Sequence, residues 1–432
     1  MNPELLEEAR RLWSIDKKID RFNSRYNTIP FREAANLLNS MQILENKLSE
    51  TPNPQNGEEF YESEFKRRLS GKTYSMETYL SGNPFTLNDM VKLYGLDDRD
   101  LKGIEPWLAA NKEKTLDAIE RMFSTTDVVN YELGLSLDIP RIRQQAEGFA
   151  ATQIANYHQK LGGLIEGLTD AGIYLYKISP EASAVDRSYF NHLTRRLGIS
   201  IGSICFELED GTIQLREREL LTLIGHEGMG HALQRTITDD SELPFFAKEQ
   251  DPTTIASEEA ITQHYEKVVF DSVKDSKKVQ KDLHIADTFD LIYQEEMDIR
   301  LLREYNLSLF YYSILVLADK SLGEPRDPSV MKMKRELISQ YSLDPRYAMS
   351  MIENNKHNYD MEGNFYPAQT SELRYASKAV NRALEIFANH GINYDTKNHR
   401  SHIDMTFLTG YFTPTGFEQK AQLVSEDRYE LP

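Results

Sequence analysis

Apolar residues recur at three- and four-residue spacing over most of this chain, the stripe that an amphipathic helix turns toward a core. Between Pro3 and Leu48 they fall at Leu5, Ala9, Leu12, Trp13, Ile15, Ile19 and Phe22, and similar patterns run from Leu87 to about Phe123 and from Gln144 to about Leu168. The segment TPNPQNGEEFYESE at 51–64 is rich in turn formers and acids, so it reads as a loop or linker inside this N-terminal helical part. Weaker breaks come at STTDVVNYELG (124–134) and at KISPEASAVDRSYF from 177. One stretch has β character: GISIGSICFEL (198–208) is β-branched and aromatic with partial alternation, and EDGTIQL follows with an Asp210-Gly211 pair that favours a tight hairpin. The expectation is a mainly α chain with a small antiparallel β-sheet, an α+β protein, divided into an N-terminal helical region (1–125) and a second region (126–432).

Composition narrows the classes of partner. The 432 residues carry a formal charge of -18 with 40% hydrophobic and 27% charged content, ordinary for a globular chain with a sizeable core. That acidity argues against nucleic acid, because phosphate binding needs clustered Lys and Arg. The single cysteine, Cys205, makes no internal disulfide, and no apolar run approaches the roughly 20 residues that span a bilayer. The opening MNPELLEEARRLW has no charged-then-apolar leader. The expected setting is cytoplasmic, with no nucleic-acid and no membrane partner; no pattern here specifies an oligomeric state.

The chemistry concentrates in LLTLIGHEGMGHALQ (220–234), where two histidines, His226 and His231, stand five residues apart with Glu227 between them. On a regular helix a spacing of five turns two side chains about 140° apart, too far to share one ion, whereas a π-type turn absorbs the extra residue and realigns them. Gly228 and Gly230 each cost roughly 1 kcal/mol of helix propensity relative to Ala, which suits unusual backbone geometry or a close neighbour. His226 and His231 are therefore expected to be zinc ligands on a bulged helix. A catalytic zinc takes a third protein ligand and keeps a fourth position for water. The stretch TIASEEAITQHYE (254–266) offers Glu258 and Glu259, of which Glu259, 28 residues after His231 and followed by Ala260-Ile261-Thr262, is preferred, with the reversed assignment left open. His264 and His284 fit core or solvated roles on helical faces, although His264 lies five residues after Glu259. The 198–215 hairpin would place an edge strand beside the metal-bearing helix, where an extended peptide can add, or it simply covers one side of a helical core.

HEGMGH and SEEAIT together resemble the paired motifs of the microtubule-associated tyrosine carboxypeptidases and their bacterial relatives, the QEGLA-motif proteins. LWSIDKKIDRFNSRYNTIP is similar to that family's N-terminal helix, LGISIGSICFELEDGTIQLRERELLTLIGHE to its strand-then-helix approach, and TSELRY (370–375) loosely to its T-K-D-x-x-Y segment, while its R-x-Y-R-G-G segment has no counterpart. The resemblance implies a mainly helical, zincin-like zinc metallopeptidase, with 126–432 as the catalytic domain, that removes one C-terminal residue from a protein or peptide. It implies Zn2+ held by His226, His231 and Glu259, and Glu227 as the general base. Arg374 and Tyr375 would then contact substrate, with Arg300 and Arg303 as further candidates for the cation that meets the terminal carboxylate. Phe245, Phe246, Tyr265 and Tyr375 would wall an apolar pocket for a large leaving residue. The acidic charge favours a soluble protein or peptide substrate over a microtubule. The competing readings are an inactive zinc-binding scaffold and a zinc hydrolase of a non-peptide amide or ester.

Overall fold

The computed structural model describes residues 7–12, 31–48, 53–81, 103–125, 140–164, 177–181, 188–191, 193–207, 210–250, 253–318, scattered positions between 332 and 341, 366–393 and 397–429. Among these the chain is mainly helical with two small sheets. Helix α1 spans Phe31–Lys47, α2 Gly57–Ser81, α3 Ile104–Thr125 and α4 Pro140–Leu164. The expected loop at 51–64 therefore ends early. Asn56 accepts from the Glu59 amide at 3.0 Å, an N-cap that starts α2. The apolar Phe60, Phe65 and Leu69 of α2 are all buried. Of the expected break at 124–134, Ser124 and Thr125 still belong to α3, while 126–134, the start of the 87–123 pattern and residues 13–30 lie outside the described residues.

The β region departs from the expectation of one antiparallel sheet. Strands β1 (Lys177–Glu181), β2 (Tyr189–Asn191) and β3 (Arg196–Ser200) form a mixed sheet in the order β1-β3-β2, with β1 parallel and β2 antiparallel to β3. The presumed long strand at 198–208 breaks into β3, a helical turn at Ile201–Ile204, and β4 (Cys205–Glu207). The turn brings Ile201 and Ile204, three apart, onto one buried side. Strand β4 pairs antiparallel with β5 (Ile213–Leu215), and Gly211 takes φ 82° between them, so the Asp210-Gly211 hairpin forms where expected.

Directly after β5 come α5 (Glu217–Leu223), a π-helix (Ile224–Ala232) and α6 (Leu233–Asp240), which run on as one rod. The rod lies against α7 (Ile255–Asp275). There follow α8 (Lys277–Asp282), α9 (Phe289–Ala318), α10 (Tyr366–Asn389), α11 (Lys397–Leu408) and α12 (Pro414–Ser425). One buried cluster draws on the chain from Ala9 to Tyr429, including Phe60 and Phe65 of α2, Phe246 before α7, and Phe412 before α12. Among the described residues no helix is long and apolar enough to cross a membrane.

Candidate metal centre

The motif rod and α7 approach closely enough for their backbones to touch. A β-carbon placed on Gly225 would sit 2.7 Å from Glu266 Cα, and one on Gly230 would sit 2.8 Å from Thr262 Cα. Gly230 thus answers to a close neighbour, as its place in the motif suggested, and Gly225 does the same without having stood out in the sequence. The π-geometry covers all nine residues Ile224–Ala232 rather than a single bulge. Its i→i+5 bonding brings residues five apart onto one side. The His226 and His231 rings accordingly lie with centroids 5.1 Å apart.

Facing them, α7 presents Glu259, Thr262 and Glu266, positions three and seven apart that share one helix face. His226 Nε2 is 3.5 Å from Glu259 Oε2, and His231 Nε2 is 3.4 Å from Glu259 Oε1. One ligand atom from each of the three residues falls within 4.8 Å of the others. The remaining ring nitrogens turn the other way: His226 Nδ1 meets Glu266 Oε1 at 2.8 Å, and His231 Nδ1 meets Glu258 Oε1 at 2.7 Å. The two adjacent acids thereby separate. Glu259 has a side chain 40% exposed between the two Nε2 atoms, while Glu258 is 7% exposed behind a ring.

These separations fit an ion. Tetrahedral zinc with N and O ligands at about 2.0–2.2 Å has ligand–ligand edges of about 3.3–3.6 Å, the spacing between each Nε2 and its nearer Glu259 oxygen. Carboxylates on both Nδ1 atoms supply the backing that fixes ring orientation and raises ligand basicity at metal sites. Burial opposes ionisation of Glu259, but the His231 hydrogen bond and the charges of His231, His226 and Arg303 outweigh it and lower its pKa. His231 is likewise disfavoured as a cation by burial, yet Glu258 and Glu259 hold its pKa well above the ordinary value.

Behind His226 lies a relay of charges that the sequence did not single out. Glu266, 2% exposed, takes Arg303 Nη1 at 3.0 Å, with Arg300 Nη2 at 3.8 Å. Arg300 Nε continues to Glu296 Oε1 at 2.6 Å, and Arg218 Nη1 reaches Glu296 Oε2 at 3.0 Å. Arg300 and Arg303, candidate carboxylate-binding cations, are thus engaged in fixing Glu266. Arg374 and Tyr375 lie on α10, and their side chains fall outside the described residues.

A cleft of about 490 Å³ opens on the other side, lined by Ser188, Tyr189, Phe190, Glu227, His231, Arg235, Glu249, Gln250, Glu258 and Tyr411. Glu227 faces this space. Burial, reinforced by Glu259 and Glu258 and opposed by the two histidines, raises its pKa, the direction that suits a general base. The aromatic wall differs from the expected one. Phe246 and Tyr265 are fully buried, Phe246 against Phe65 and Tyr61, and Tyr265 donating to Asp404 Oδ1 at 3.0 Å. Phe245 packs against Phe65. Tyr189, Phe190 and Tyr411 take the cleft instead. The strand at its rim is β2, not the β4–β5 hairpin. His264 packs against Tyr265 and Phe407, away from the ligand cluster. Comparison with family models, with curated proteins and with solved structures returns no match to this chain.

Proposed function

We propose that this chain is a zinc-dependent metallopeptidase of the carboxypeptidase type, with a zincin-like core, akin to the tyrosine carboxypeptidases that its motifs resemble. The observation that carries the reading is the convergence of His226 Nε2 and His231 Nε2 on the two oxygens of Glu259 at 3.5 and 3.4 Å, beside a cleft that Glu227 lines. In this reading His226, His231 and Glu259 hold Zn2+, and Glu266 and Glu258 orient the two imidazoles. Bound zinc supplies Lewis acidity, polarising a carbonyl oxygen and lowering the pKa of a bound water toward about 7.

The protein's own groups divide the remaining work. Glu227 accepts a proton from the attacking water and returns it to the leaving amine. Tyr189, Phe190 and Tyr411 offer apolar surface to a large side chain, worth on the order of 1.5–3 kcal/mol when fully buried. An intact acid at 227 favours catalysis over a structural site, which would close its fourth position with another His or Cys.

The test is metal content together with cleavage. Purified protein is expected to hold about one zinc per chain, His226→Ala and Glu259→Ala to lose it, and Glu227→Gln to keep it while losing turnover. Incubation with a peptide library varied at its last three positions should release single C-terminal residues, with Tyr, Phe and large aliphatics preferred. Undiminished zinc in both ligand variants rejects the ligand set; bound zinc with no cleavage of any peptide leaves a binding scaffold.

A further inference from the structure

The residues lining the cleft include three carboxylates, Glu227, Glu249 and Glu258, and one cation, Arg235. We propose that Arg235 is the specificity residue that receives the substrate's terminal carboxylate, an assignment that rests on the carboxypeptidase reading above. Its place follows from the rod. Arg235 stands on α6 four residues after His231 of the π-helix, on the same face of the continuous rod and about 6 Å further along its axis at about 1.5 Å per residue. An extended peptide advances about 3.3–3.6 Å per residue. With its scissile carbonyl beside Glu227 and His231, the last residue's carboxylate would therefore meet an Arg side chain extending back toward the cleft, while a longer chain would overrun it.

The guanidinium is already oriented for that task. Arg235 Nε donates to Asp239 Oδ2 at 3.0 Å and Nη1 to the Lys248 carbonyl at 3.3 Å, and its central carbon lies 5.9 Å from the centre of the Tyr411 ring. Those contacts, with a hydrogen bond to Tyr411, orient the planar fork in advance, and a fork fixed in advance loses less freedom on binding a carboxylate. The wall beyond it is also fixed. Lys248, Glu249, Gln250 and Tyr411 border Arg235, and buried Arg68 ties that border together by donating to the carbonyls of Phe246 at 2.6 Å, Glu249 at 2.7 Å and Tyr411 at 3.1 Å. The three carboxylates repel a substrate anion elsewhere in the cleft, so its charge is directed to this one position.

The test compares an N-acetylated pentapeptide ending in Phe with its C-terminal amide, by calorimetric titration into zinc-loaded Glu227→Gln protein, which binds without cleaving. The free acid should bind about 10- to 100-fold more tightly than the amide, as expected for a hydrogen-bonded charge contact. In Glu227→Gln/Arg235→Gln that preference should vanish with zinc content unchanged, and Arg235→Lys should restore part of it. A double variant that keeps the full preference overturns the Arg235 assignment and leaves the carboxypeptidase reading standing. Equal binding of acid and amide, or binding of neither, by the zinc-loaded Glu227→Gln protein overturns both. In otherwise native protein, Arg235→Gln should raise KM for the acid more than it lowers kcat.

Discussion

Replacing Gly225 by Ala sets two well-calibrated effects against each other. On helix propensity alone the substitution would stabilise by about 0.8–1 kcal/mol. The packing opposes it: the new β-carbon would lie 2.7 Å from Glu266 Cα, 3.0 Å from Glu266 N and 3.0 Å from the Tyr265 carbonyl oxygen. Carbon atoms settle at about 3.5–4.0 Å, so the rod and α7 must part by about 1 Å. All three atoms are backbone and cannot swing aside, which places the overpacking cost toward the upper part of the usual range of about 1–3 kcal/mol. The net expectation is a loss of about 1–2 kcal/mol. Because Glu259 and Glu266 ride on the displaced helix, zinc affinity should also fall, by about 10–100-fold. Gly148→Ala, at an exposed position of α4 with nothing within 4 Å of the new carbon, is the control and should gain about 0.5–1 kcal/mol. Urea unfolding of the zinc-free proteins and competitive zinc titration measure both quantities. If Gly225→Ala is as stabilising as Gly148→Ala and binds zinc like the parent, the close approach has been misread.

Glu258→Gln and Glu266→Gln should each weaken zinc binding by about 10–100-fold without unfolding the protein, whereas Glu259→Gln should remove most of it; competitive titration that ranks the three alike would contradict the division into ligand and supporting acids. His264 carries a pH signature. Burial, with the charges of Lys267 and Arg300, lowers its pKa from 6.5 to about 3. The unfolded chain therefore binds a proton that the folded chain refuses, so stability falls as pH drops from about 6.5 toward 3, by at most about 1.4 kcal/mol per unit. His264→Gln should flatten that slope between pH 6.5 and 5 in urea titrations, and an unchanged slope would remove His264 as its source.

The helical character and the grouping of His226, His231 and Glu259 were readable because both rest on local periodicity and residue chemistry. Five-residue spacing with two glycines implied a π-turn, since only that geometry turns His226 and His231 to one side. What escaped depends on contacts between distant segments. Glu266 is seven residues after Glu259 and so shares its helix face, a signal present in the sequence, but its role appears only when α7 lies against His226. Gly225 looks like an ordinary small residue until the backbone of Glu266 is brought to it. Arg235 was likewise available at four residues past His231, whereas Tyr411, Tyr189 and Phe190 reach the cleft from segments that no local pattern connects. Phe246 and Tyr265 were misplaced for the converse reason: proximity in sequence to the ligands says nothing about whether a ring faces the cleft or the core.

Arg68 bears on what can fold alone. It is fully buried on α2, and it donates to three carbonyls drawn from the turn before α7 and the segment before α12. Its neighbour Glu64 accepts from the Thr413 amide and hydroxyl, at the start of α12. A chain begun after residue 125 would keep His226, His231 and Glu259 and lose this helix. It would take the Arg68 donor from the carbonyls of Glu249 and Tyr411, leave that of Phe246 with the Glu249 amide alone, and deprive the rings of Phe246 and Phe412 of Phe65 and Phe60. Each lost buried hydrogen bond costs about 1–3 kcal/mol at most, and the lost ring contacts add to it, a sizeable part of the roughly 5–15 kcal/mol of an ordinary domain. The N-terminal helices thus behave as an obligate chaperoning half of the fold, and the shorter chain should be recovered only when α2 is supplied in trans.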